Sequence, residues 1–113
     1  MTDTTTTTDD LEKSPAVVTV GAYVIVRTEN AGCFAGTLEG RIGNEATLTD
    51  ARRLWYWDGA ASLSQLATTG TSKPTGCKFP APVDEILLLG VIEIIGVNDD
   101  ARKSIESVPV WTS

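Results

Sequence analysis

The sequence has 113 residues, of which 42% are hydrophobic and 21% charged, and carries a formal net charge of −6. That length predicts one domain. The near balance of six basic and seven acidic side chains over residues 16–85 excludes a basic face that would hold duplex nucleic acid through counterion release. There is no histidine, which removes the commonest general base, the Ser-His and Cys-His nucleophile pairs and the usual zinc ligand.

In chain order, MTDTTTTTDDLEKSP (1–15) comes first, with a five-threonine run, four acids and one lysine. It holds too little apolar surface to offset its ordering entropy and is expected to be a disordered acidic tail. Residues 16–113 are then a single β-rich ligand-binding domain. AYVIVRT (22–28) is β-branched and follows a glycine. CFAGTLEGR (33–41) alternates through Phe34 and Leu38, with NAG at 30–32 as a tight connection before it and IGN at 42–44 as a hairpin turn after it. EATLTDARRLWYW (45–57) reads as extended throughout.

At Asp58 the period changes. Asp58 is placed to cap a helix with Ala60, Leu63 and Ala67 at helical spacing and Gly70 as its stop, leaving Ser62, Gln65 and Thr69 on another stripe. TSKPTG (71–76) is a loop, and Pro80 and Pro82 exclude CKFPAPV (77–83) from a central strand. DEILLLGVIEIIGV (84–97) is two strands, or one strand bulged at Gly90, and its near-continuous apolar run predicts burial on both faces. Glu93 interrupts that run, which is too short to span a bilayer. Asn98 caps a last helix with Asp99 and Asp100 in its first turn, and Val110 and Trp111 are expected to fold back onto the sheet. The fold class is α+β, an antiparallel, partly barrel-like sheet with two short helices at about 58–69 and 99–107.

Chemistry for catalysis is missing from this pattern. Asp84 and Glu85 are adjacent, so a strand points them to opposite faces. Asp99 and Asp100 suit a helix start, no phosphate-binding glycine loop is present, and no Ser or Cys has an evident base. The expectation is a non-enzyme with no metal and no cofactor. Cys33 and Cys77 lack CxxC spacing and read as buried, reduced thiols.

Binding chemistry is better represented. An arginine fork matches phosphate oxygens, and aromatic rings stack on nucleobases. In strand geometry Arg53, Trp55 and Trp57 share one face while Arg52, Leu54 and Tyr56 share the other, and core packing is an equal alternative for the two tryptophans. Two adjacent arginines are not both buried cheaply, so at least one faces water, an acid or a ligand anion. Arg27 and Phe34 fall near a sheet edge or mouth. Lys73 lies in a loop able to close over a phosphate, and Ser62, Ser64 and Gln65 suit ribose hydroxyls or an adenine edge. The candidate ligand-binding set is Arg27, Phe34, Arg52, Arg53, Trp55, Tyr56, Ser62, Gln65 and Lys73.

VIVRTENAGCFAGTLEGR, LTDARRLWYWDGAASLSQLA, SKPTGCKFPAPVDEILL and VIEIIG together resemble a family of small phage-encoded proteins that includes the anti-Thoeris sponges, over roughly residues 20–111. That resemblance implies a compact β-rich oligomer in the host bacterial cytoplasm. Such a protein sequesters cyclic ADP-ribose isomers without cleaving them and so blocks a bacterial immune effector. Cyclic di- and trinucleotides are further candidate ligands. A 12.0 kDa chain has little interior room for a pocket of several hundred cubic ångströms, which predicts a homo-oligomer with sites between protomers and Val108, Val110 and Trp111 as interface material. No membrane partner is expected. The alternative of a different class is a phage adaptor or inhibitor that binds a host protein directly, and an oligonucleotide-binding barrel is disfavoured by the charge balance.

Overall fold

β-Branched and aliphatic runs separated by Gly-containing turns fold into five antiparallel strands, β1 (Tyr23–Thr28), β2 (Cys33–Ile42), β3 (Glu45–Arg53), β4 (Val83–Leu88) and β5 (Val91–Gly96). Two helices, α1 (Leu63–Thr69) and α2 (Asp99–Glu106), and a 3-10 turn at Pro74–Gly76 complete an α+β fold. This computed structural model describes residues 18–112, so the acidic segment 1–15 lies outside the described residues.

The sheet order is β4-β3-β2-β1-β5. Its edge strands, β4 and β5, are consecutive in sequence and joined by Leu89 and Gly90 alone. Two residues reach only about 10 Å, so the sheet must coil until its edges nearly meet. Two irregularities in the β2–β3 ribbon supply the bend. Register slips between Ala35 and Thr37 and again between Leu38 and Gly40, inserting an extra residue first on β3 and then on β2. Asp50, at the first of these, has φ 52, a left-handed conformation that a bulge demands and Asp tolerates. Opposite it, a Cβ on Gly36 would sit 3.0 Å from the Ala51 Cα and the Thr49 carbonyl oxygen, so only glycine lets the strands approach there. The distal half of the ribbon folds over until the Val91 N–H donates to the Asn44 carbonyl at its tip. The strands are not hydrogen-bonded into a closed barrel.

Coiling makes two cores. Inside the curl, Val24, Val26, Phe34, Leu38, Ala46, Leu48, Ala51 and Leu88 pack together. On the outer face Tyr23, Ile25, Ala35, Leu54 and Val97 meet α1 through Leu63, Leu66 and Ala67 and α2 through Ala101 and Ile105. Each Val, Leu, Ile or Phe side chain fully buried here contributes about 1.5–3 kcal/mol. In α2 the Asn98 side chain caps by accepting from the Ala101 N–H at 2.8 Å.

Five expectations are corrected. α1 starts at Leu63 rather than near 58, because Ser62 and not Asp58 is its N-cap; the Asp58 carboxylate instead accepts from the Gly59 N–H. Extended pairing of the aromatic run ends at Arg53, after which Tyr56 makes one isolated bridge to Lys78. Alternation inverts there too, so that Trp57 rather than Tyr56 packs with Leu54 against the helix-covered core. The 84–97 run is not buried on both faces, since the edge strands β4 and β5 and their linker leave Leu87, Ile92 and Leu89 exposed. Val110 and Trp111 return to the Phe79 segment instead of the sheet, through a parallel bridge and a Trp111 N–H bond to the Phe79 carbonyl.

Candidate functional site

Ala35 pairs with Arg52 and Phe34 with Arg53 across β2–β3. Directly opposed residues of an antiparallel pair point to the same face. Arg52 therefore joins the helix-covered face and Arg53 joins the inner-curl face, at its rim.

Arg52 is 7% exposed. Its Nε donates to the Pro80 carbonyl at 3.0 Å, Nη1 to Ile105 and Val108 at 3.2 and 2.9 Å, and Nη2 to Phe79 and Pro109 at 2.6 and 3.3 Å. The guanidinium also lies 5.5 Å from the centroid of the Phe79 ring. One fork thus satisfies the irregular segment at 79–80 and the end of α2 together. Burial pulls its pKa below the ordinary arginine value, while Tyr23 and Asp50 pull it up, and it stays protonated. With its donors engaged by backbone, Arg52 is a structural clamp with nothing left for a ligand anion.

Arg53 is exposed. Its guanidinium lies over the Phe34 ring, 4.4 Å from the centroid, and Nη1 donates to the Ala31 carbonyl at 2.7 Å. The loop supplying that carbonyl turns through Gly32 at φ 98, and a Cβ there would lie 3.6 Å from the Arg53 Nη1. Ring and carbonyl together restrain the exposed fork, and its other N–H groups make no hydrogen bond among the described residues.

Two grooves flank this residue and share Asn30, Ala31 and Arg53. One, of about 330 Å³, continues along Gly32, Cys33, Leu54, Trp55 and Trp57. The other, of about 460 Å³, continues along Phe34 and residues 86–90. Among the described residues no acidic side chain lines either one. Trp55 is 64% exposed, a large ring surface left open beside an uncompensated cation. Burial pushes the Cys33 thiol up, with Arg27 lowering and Glu93 raising it, which makes it a poor nucleophile at neutral pH.

Of the nine residues singled out in the sequence, Phe34, Arg53 and Trp55 meet at this ledge. The others are placed elsewhere. Arg27 Nε donates to Glu93 Oε1 at 2.9 Å across β1–β5. Tyr56 lies near the Lys78 ammonium, which is 5.7 Å from its ring centroid. Ser62 Oγ accepts from the Gln65 N–H at 3.2 Å, and Gln65 Oε1 accepts from the Ala61 N–H at 2.8 Å. Ser62 thus caps the N3 amide while Gln65 holds the amide just before the cap, which accounts for both residues without a ligand. Lys73 is exposed at the start of the 3-10 turn, its N–H bonded to the Thr71 hydroxyl. Sequence reasoning missed Asn30 and Ala31 as site residues; the signal available was the NAG turn closing directly onto β2.

Residues 21–105 match the family model for a domain of unknown function, DUF6948. The chain belongs to the DUF6948 family. The matched span contains the whole sheet, α1 and every residue lining the two grooves beside Arg53. No curated protein and no solved structure matches this DUF6948 chain.

Proposed function

We propose that this protein binds an anionic, ring-bearing ligand of the nucleotide class at Arg53 and holds it unreacted. The observation that carries the reading is the Arg53 guanidinium, held over Phe34 and bonded to the Ala31 carbonyl, paired with no carboxylate among the described residues and flanked by the open Trp55 ring. A fork fixed before binding loses little entropy on meeting a phosphate. An adjacent indole supplies about 1–3 kcal/mol per stacked base. The groove volumes fall in the range of small-molecule sites.

The sequence resemblance supports the finer reading. The ligand is a cyclic ADP-ribose isomer or a cyclic oligonucleotide, and its capture denies a bacterial immune effector its signal in the infected cell. Release without chemistry suits such a role, because a sponge acts through residence time. A second copy completing the site from the open side of the grooves fits the same reading. The exposed Trp55, Tyr56 and Leu89 favour one rival, direct docking on a host protein.

Titration of the protein with cyclic ADP-ribose isomers and cyclic di- and trinucleotides, followed by tryptophan fluorescence, separates the two. Sequestration gives saturable quenching with at least one of them, nucleotide released intact by heat, and a loss of about 1.5–3 kcal/mol of affinity in Arg53→Ala. No response to any of these nucleotides overturns the reading in favour of protein docking.

A further inference from the structure

Two polar or charged residues are buried among those described, Arg52 and Thr28. Thr28 ends β1 and is 6% exposed, so its hydroxyl must find partners inside the protein. It finds both in the turn that follows. Thr28 Oγ1 donates to the Gly32 carbonyl at 2.8 Å and accepts from the Ala31 N–H at 2.9 Å. The Thr28 N–H donates to the same Gly32 carbonyl at 3.0 Å. One residue thus closes the β1–β2 turn through backbone and side chain together.

That turn is also the one bonded to Arg53. Ala31 gives its N–H to Thr28 Oγ1 and its carbonyl to Arg53 Nη1. The chain reverses at Gly32, at φ 98, and the freedom of a glycine lets the peptide before it rotate unless its neighbours are held. Thr28 holds the peptide on either side, at the Ala31 N–H and at the Gly32 carbonyl, so the Ala31 carbonyl between them keeps its direction. A further bond, from the Glu29 N–H to the Gly90 carbonyl at 2.8 Å, ties the start of the turn to the β4–β5 linker. Thr28 itself lines neither groove beside Arg53. Any effect it has on a ligand must pass through the turn.

We propose that Thr28 is a positioning residue, whose buried hydroxyl aims the Ala31 carbonyl and through it holds the Arg53 fork ready for an anion. The consequence for anion binding rests on the reading of Arg53 given above; the effect on the Arg53 side chain does not. Valine matches threonine in branching but can neither donate nor accept. Thr28→Val therefore removes both side-chain bonds to the turn while leaving the strand end its shape. Thr28→Ser keeps the hydroxyl and gives up only a methyl group.

NMR relaxation of the Arg53 side-chain Nε–H, measured without ligand and then during titration with inorganic pyrophosphate, tests this. In the parent protein the side chain is expected to be restrained, the Ala31 amide to exchange slowly with solvent, and pyrophosphate to shift the Arg53 signal. Thr28→Val should mobilise the side chain and weaken pyrophosphate binding roughly three- to tenfold, with far-ultraviolet circular dichroism unchanged. Thr28→Ser should restore both. A valine variant whose Arg53 stays as restrained as in the parent overturns the proposal, as does a serine variant that fails to recover what valine loses. Should the valine variant not fold, a fast-exchanging Ala31 amide in the parent overturns it equally. A parent whose Arg53 signal ignores pyrophosphate overturns the anion reading instead, and the relaxation contrast still decides the role of Thr28.

Discussion

Arg52 and Arg53 are neighbours with the same side chain and opposite fates. One is surrounded by five backbone carbonyls at the end of α2 and the Phe79–Pro80 segment. The other rests on a phenylalanine ring at the rim, with most of its donors facing water. The difference arises from strand alternation, which sends adjacent residues to opposite faces, combined with what each face is packed against. Burial turns a guanidinium into a structural fork because every N–H must find an acceptor. Exposure beside an open aromatic ring leaves it available to an anion.

That contrast is broken most severely at Arg52. Arg52→Ala leaves the carbonyls of Phe79, Pro80, Ile105, Val108 and Pro109 without their shared donor. An orphaned buried acceptor costs about 1–3 kcal/mol, and partial relaxation of the C-terminal segment holds the total to roughly 3–5 kcal/mol. Urea unfolding should show this as a large drop in midpoint. Arg52→Lys should recover little of it, because one ammonium cannot span the same acceptors.

The helix-covered side carries a second, pH-dependent signature. Tyr23 is pushed up to about 12, first by burial and then by Glu106, against the lowering effect of Arg102. A folded-state pKa above the unfolded value of about 10 leaves stability intact below pH 10. Between pH 10 and 12 stability is lost, because the unfolded chain releases the proton first; the fall reaches about 2–3 kcal/mol. Tyr23→Phe should flatten that alkaline limb of an unfolding-versus-pH series.

Ser62→Ala should cost about 1 kcal/mol, the usual value of an N-cap, with nucleotide titration unchanged. A shift in affinity instead would return Ser62 and Gln65 to the ligand site. The smallest stability effect belongs to Arg53→Ala. Loss of an exposed cation–π contact and one carbonyl bond should move the unfolding free energy by only about 0.5–1 kcal/mol, while ligand affinity falls. If Arg53→Ala unfolds the protein as Arg52→Ala does, the two residues share one structural role and the contrast fails.

Much of the architecture was legible in the sequence. The strand cores, the hairpin at 42–44, the exclusion of the Pro80–Pro82 segment from the sheet and the Asn98 cap all follow from local signals that few long-range contacts override. Alternation also fixed that Arg52 and Arg53 face opposite ways. Tertiary structure decided which of them is spent on the fold. The acceptors around Arg52 come from residues 79–80 and 105–109, and no local pattern places a backbone carbonyl at a distance of fifty residues. Likewise, β4 and β5 read alike as apolar runs, yet become opposite edges of one sheet whose β2–β3 ribbon carries bulges near Asp50 and Gly40. The period-2 pattern of a strand specifies which way each side chain points relative to its own backbone. It carries no information on what the coiled sheet brings opposite, and that opposing surface is what distinguishes a clamp from a binding ledge.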